Sequence, residues 1–180
     1  MTRTVPLSAD ISKSTVRLLG ALPPSPSGDI AVVAGIGRDL ALIDVASGGR
    51  SGALSGWDHK GGHGSVLCTL SGAGGPLLVM ANGTDIGVWD VTTLTQVTAW
   101  KSPDTFTITG LPVPGGPTLL VSGGTGGVGI WNPRTGGLIH TVLTGAPVHG
   151  IAVHRGNEDL VLHLYGPAGL ATVSVDTGLL

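Results

Sequence analysis

The stretch Leu77-Leu78-Val79-Met80-Ala81-Asn82-Gly83-Thr84-Asp85-Ile86-Gly87-Val88-Trp89-Asp90 reads as an apolar strand, a Gly-rich turn, a second apolar strand and an acidic anchor. The same grammar returns three times. Ile30–Ala34 and Leu40–Ile43 precede Asp44, Thr118–Ser122 and Val128–Trp131 precede Asn132, and Leu160–Leu164 and Ala171–Val175 precede Asp176. The anchors at 44, 90, 132 and 176 are 46, 42 and 44 residues apart. Each unit also carries an earlier strand: Thr15–Gly20, Ser65–Leu70, Phe106–Gly110 and Val148–Val153. A fourth follows the anchor in three of them, at Gly52–Leu54, Gln96–Trp100 and Leu138–Leu143.

A repeat of roughly 40–45 residues built from four short strands is the period of a β-propeller blade. The strands are rich in Val, Ile, Leu and Thr, which suit a pleated, buried surface. Leu77–Met80 and Thr118–Val121 are unbroken apolar runs, as expected of strands covered on both faces. No Gly-free window long enough for a helix shows helical apolar spacing. The fold expected is therefore all-β: one propeller domain over residues 1–180, with blades at about 15–54, 65–100, 106–143 and 148–180. Residues 3–8, Arg3-Thr4-Val5-Pro6-Leu7-Ser8, resemble His140-Thr141-Val142-Leu143-Thr144 and are expected to supply the last blade's outer strand. That arrangement hides a bare sheet edge, and Pro6 is tolerable on an outermost strand.

These residues resemble the WD-repeat (Trp-Asp repeat) family of β-propellers over nearly the whole chain. The best matches are Gly62-His63 followed by Val88-Trp89-Asp90, and Gly129-Ile130-Trp131-Asn132. The resemblance implies a non-catalytic scaffold for protein–protein contacts made through rim loops. It also implies structural roles for Asp44, His63, Trp89, Asp90, Trp131, Asn132 and Asp176. Family blades carry an Asp in the turn before the third strand, joined to a His–Ser/Thr–Trp hydrogen-bond network. Those positions are Gly37, Gly83, Thr125 and Gly169 here, so the network is expected to be absent. Family members mostly close with seven blades. Four blades imply a half-ring completed by a second copy, a piece of a longer propeller, or a tight four-bladed ring.

Composition narrows the partners. The chain has 32 Gly, 11 % charged residues and a formal net charge of −2, with a mean hydropathy of +0.39. Lys and Arg form no stripe, so a nucleic-acid partner is not expected. No apolar run approaches the roughly 20 residues of a membrane span, and the N-terminus has no signal-peptide core. The single cysteine, Cys68, suits a reducing compartment, so a cytoplasmic location is expected.

Several patterns resemble chemistry. Gly124-Thr125-Gly126-Gly127-Val128-Gly129 spells a dinucleotide fingerprint, but a strand follows where a phosphate-binding helix is required. Asp58-His59-Lys60-Gly61-Gly62-His63 places one carboxylate and two imidazoles together, but it reads as a solvated loop, whereas zinc needs three or four ligands held rigidly, and His149, His154 and His163 are scattered. Three of the eleven acidic residues, Asp44, Asp90 and Asp176, are anchors, and no nucleophile–base pair or carboxylate dyad is evident. No cofactor, metal or small-molecule substrate is expected, and no enzymatic activity. The rim that carries the strand-2 to strand-3 turns and the crossings between blades is the expected contact surface. Its candidate residues are Arg38, Trp57, Asp58, His59, Lys60 and Lys101, with Trp57 exposed as an aromatic anchor. The expected partner is another protein or a second copy of the chain.

Overall fold

The computed structural model describes residues 16–22, 28–36, 39–56, 65–71, 74–155, 159–176 and 178. Among them the architecture is all-β, an arc of four antiparallel blades from a propeller. Blade 1 is a four-stranded meander of β1 (Val16–Ala21), β2 (Ala31–Ile36), β3 (Asp39–Asp44) and β4 (Arg50–Leu54), paired in that order. Blades 2 and 3 share β5 (Val66–Leu70), β6 (Leu77–Asp90), β7 (Gln96–Pro112), β8 (Thr118–Gly124), β9 (Gly127–Trp131) and β10 (Leu138–Val142). Blade 4 holds β11 (Gly150–Arg155), β12 (Leu160–Gly166) and β13 (Gly169–Val175). Residues 3–8, expected as its fourth strand, lie outside the described residues.

β6 is a hairpin whose bend still pairs with β7, through Gly83↔Thr105 and Asp85↔Lys101. The Val91 N–H donates to Pro76 O at 3.1 Å, whereas a straight 14-residue strand spans about 46 Å. Side-chain parity reverses at the bend as well. Leu77, Val79 and Ala81 share one core with Ile86 and Val88, while Leu78 and Met80 share the other with Trp89. Gly83, at φ +60°, sits at the fold-back. β7 also does two jobs. Val88↔Thr98 and Ile86↔Trp100 make its first half the outer strand of blade 2. Thr107↔Gly123 to Pro112↔Thr118 make its second half the inner strand of blade 3. Lys101–Thr105, the gap between the strands expected at Gln96–Trp100 and Phe106–Gly110, is therefore not a loop: it lies within β7, and Thr105 pairs with both Gly83 and Gly124.

Among the described residues the core comprises three sandwiches between successive blades and a small cluster of Ala34, Ala41 and Ile43 on the other face of blade 1. Val33, Leu40, Leu42 and Leu54 of blade 1 meet Leu78, Met80 and Trp89 of blade 2. Leu70, Val79, Ala81, Ile86 and Val88 of blade 2 meet Ile108, Leu120 and Trp131 of blade 3. Leu111, Leu119, Val121, Val128 and Ile130 of blade 3 meet Leu160, Leu162, Leu164 and Val175 of blade 4. A middle strand thus buries both of its faces, which accounts for the unbroken apolar runs. Burying each Leu, Ile or Val side chain stabilises by about 1.5–3 kcal/mol.

Each anchor closes a turn. Asp44 Oδ1 accepts from Ser47 N at 2.7 Å and Ser47 Oγ at 2.5 Å. Asp90 Oδ1 accepts from Thr92 N and Thr93 N, at 2.7 and 3.0 Å. Asn132 Oδ1 accepts from Arg134 N and Thr135 N, at 2.9 and 3.3 Å. Asp176 Oδ1 accepts from Gly178 N at 2.8 Å. A short carboxylate or amide reaching its own backbone two or three residues on is an Asx turn, which is why Asp or Asn must end the strand.

Candidate interaction rim

The rim that carries the strand-2 to strand-3 turns is tied together by the crossings between blades. Thr125 N donates to Asp104 O at 3.1 Å, and Val148 N donates to Gly124 O at 3.0 Å. The crossing backbone presses directly on the hairpins. A Cβ on Gly124 would stand 1.7 Å from Asp104 O, and one on Gly166 would stand 2.1 Å from Pro147 O. Only glycine permits these approaches, and they recur at the same place in blades 3 and 4.

Beneath the Lys101–Thr105 crossing lies a cavity of about 90 Å³, lined by Ser102, Thr105, Ser122, Trp131, Leu138 and several glycines. Among the described residues, Ser102, Thr105 and Ser122 are the buried polar side chains, and all three face this space. Trp131 Nε1 donates to Ser122 Oγ at 2.8 Å. Ser122 retains its own O–H to donate. Thr105 Oγ1 donates to Pro103 O at 3.0 Å and lies 3.3 Å from Ser102 Oγ. The walls are mostly apolar and the few polar groups are hydroxyls, an arrangement suited to one small side chain with an acceptor atom. The Trp131–Ser122 bond means that part of a buried Trp network is present in blade 3, where the expectation was that none would be. In blade 2, Trp89 Nε1 instead donates to Ser55 O at 2.8 Å.

Lys101 is exposed on the rim and pairs with the Asp85 carboxylate across the β6–β7 ladder. At 72 % exposure such a pair contributes little, about 0–1 kcal/mol. Arg38, Trp57, Asp58, His59, Lys60 and His63 lie outside the described residues. Trp100 packs between blades, its ring centroid 5.7 Å from that of Trp131. One blade further on, a second cavity of about 80 Å³ is lined by Pro147, Val148, Leu164, Tyr165 and Leu170. A larger cleft, about 290 Å³, opens on the opposite rim. There the Arg134 guanidinium donates to the carbonyls of Gly74 and Gly75.

Three described groups have displaced pKa values, and each has a structural cause. The Ser47 hydroxyl and N–H lower that of Asp44, and the Thr93 and Thr92 N–H groups lower that of Asp90. Burial against the blade 2–3 core pushes the Cys68 thiol up to about 12. None of these belongs to an acid–base pair. Among the described residues no three His, Cys, Asp or Glu side chains converge as metal ligands. No described helix is long and apolar enough to cross a membrane.

Sequence reasoning missed the hydroxyl cavity. Its signal was faint: Ser122 interrupts an apolar strand two residues beyond Leu120, the position opposite Trp131. Recognising it requires the hairpin register and the crossing of a third element.

No protein-family model matches the chain, and no curated protein matches it. Among solved structures it is similar to the crystal structure of BBS1N in complex with ARL6DN, soaked with mercury. The TM-score is 0.64 at 16 % identity, covering 87 % of this chain and 49 % of that one. The chain thus spans about half the length of that propeller-type domain. At this identity the likeness establishes the propeller fold.

Proposed function

We propose that this chain is a non-catalytic protein-binding module of the WD-repeat type, acting in the cytoplasm without a cofactor. The observation that carries the reading is the rim cavity, where three buried hydroxyl side chains gather beneath a crossing in van der Waals contact with its hairpin. A pocket of this size and chemistry receives one partner side chain as an anchor. The exposed Lys101 then supplies a neighbouring contact, and Trp57, Asp58, His59 and Lys60, which lie outside the described residues, are the further candidates from the sequence. The similar BBS1N was crystallised with a protein, ARL6DN, which supports a protein-binding use of the fold.

The test compares capture of proteins from extract by four forms of the chain. These are the native chain, Trp57→Ala/His59→Ala, Lys101→Glu, and Thr92→Ala on the opposite rim as a control. The same captured protein is expected with native chain and control, and its recovery should fall at least tenfold with both rim variants. Equal recovery by all four sinks the rim reading.

A further inference from the structure

The cleft of about 290 Å³ on the opposite rim lies between blades 2 and 3. Its volume is close to the roughly 300 Å³ of the smaller ligand pockets. Leu70, Leu77, Pro117 and Pro133 give it an apolar lining, and Arg134 is its one charged lining residue.

The charge of its anchor turn is reversed relative to the other three. The anchors Asp44, Asp90 and Asp176 are carboxylates, and Ala46, Thr92 and Gly178 stand two positions on. Here the anchor is an amide, Asn132, and Arg134 stands two positions on. Asn132 still makes the turn, because its Oδ1 accepts from Arg134 N and Thr135 N. Its NH2 group remains to donate. An aspartate there would put a carboxylate into the same cleft as Arg134 and repel a second anion.

The Arg134 guanidinium is half-buried, and its bonds to Gly74 O and Gly75 O both leave from Nη2. The Nε and Nη1 N–H groups remain to donate. Among the described residues no carboxylate forms an ion pair with Arg134. Asp90, the neighbouring anchor, is engaged by the Thr92 and Thr93 N–H groups instead. A partly desolvated cation attracts an anion more strongly than one in open water.

We propose that this cleft binds a small aliphatic carboxylate, its head group on Arg134 and the Asn132 amide and its hydrocarbon body on Leu70, Leu77, Pro117 and Pro133. An inorganic anion would leave the apolar lining unfilled. A neutral apolar molecule would leave the guanidinium unpaired. The cleft is on the rim away from the crossings, so the proposal is independent of the rim reading.

Heteronuclear NMR of the full chain, titrated with 4-methylpentanoate, tests it. Saturable shifts are expected at the amides of Gly75, Thr118, Asn132 and Arg134. Two other probes divide the ligand: 4-methylpentanamide keeps the body without the charge, and acetate keeps the charge without the body. Each should bind about tenfold more weakly or worse. Asn132→Asp, a turn for which Asp44 and Asp90 are precedents, should weaken binding of the acid to a similar degree, and so should Arg134→Gln. Circular dichroism confirms that each variant is folded. Three results would overturn the proposal: an acid that shifts none of these amides, an amide or acetate that binds as tightly as the acid, or a folded variant that binds the acid as the native chain does.

Discussion

Leu94 adopts φ +58°, a left-handed conformation that the equivalent turns of blades 1 and 3 give to Gly48 (φ +69°) and Gly136 (φ +71°). The three share one hydrogen bond, from their N–H to the anchor's carbonyl, at 2.9 Å each time. A leucine there costs about 1–2 kcal/mol of backbone strain. The strain persists because the side chain packs on the blade 1–2 core, where a Cβ on Gly52 would meet Leu94 Cδ1 at 2.9 Å. In blade 3 the sizes are exchanged, since the small Gly136 faces the large Trp100. We expect Leu94→Ala, which keeps the strain and loses the contact, to be less stable than Leu94→Gly by about 1 kcal/mol. Urea unfolding of the two variants measures the difference, and the ordinary order, with alanine the more stable, would contradict the explanation. Ser122→Ala should cost about 1–3 kcal/mol, because it strands the buried Trp131 Nε1 donor. Most of that loss should vanish in a Trp131→Phe background, as a double-mutant cycle would show.

At the scale of elements, the anchor turns make stability depend on acid. The carboxyls of Asp44 and Asp90 lie below their ordinary value of 3.8 because turn donors bond the charged form. A lowered folded pKa contributes stability that is fully present above the ordinary value and lost as pH falls through the depressed one. Asp90→Asn should therefore keep the turn and flatten the acid limb of stability below about pH 4, as followed by thermal unfolding across pH. Asn132 is the built-in precedent, an amide doing the same work in blade 3. An acid limb as steep as the native one would remove the anchor from this role. These turns were legible in the chain because an Asx turn is local: residue 44, 90, 132 or 176 reaches only two or three positions ahead. The blade hairpins were legible for the same reason. The continuous ladder through 82–85 and 101–105 was not, because Thr105 becomes a strand residue only when Gly83 and Gly124 arrive from two different blades. The hydroxyl cavity was hidden likewise, since Ser102, Thr105 and Ser122 converge through a crossing that no local pattern encodes. Gly124 carries that convergence. Gly124→Ala should displace the crossing and cost several kcal/mol, by chemical denaturation, since its Cβ would overlap Asp104 O.

At the scale of the whole molecule, the four described blades stack through three apolar interfaces, while one rim gathers the crossings, the hydroxyl cavity and Lys101. The period in the sequence was enough to identify the stack. Hydrogen-exchange mass spectrometry of a captured complex shows whether partners are held at the rim. Slowed exchange is expected in residues 82–85, 101–105 and 125–126, with the anchor turns at 90–95 and 132–137 unchanged. Slowed exchange at the anchor turns, or across the outward face of blade 4, with the rim unaffected, would contradict it.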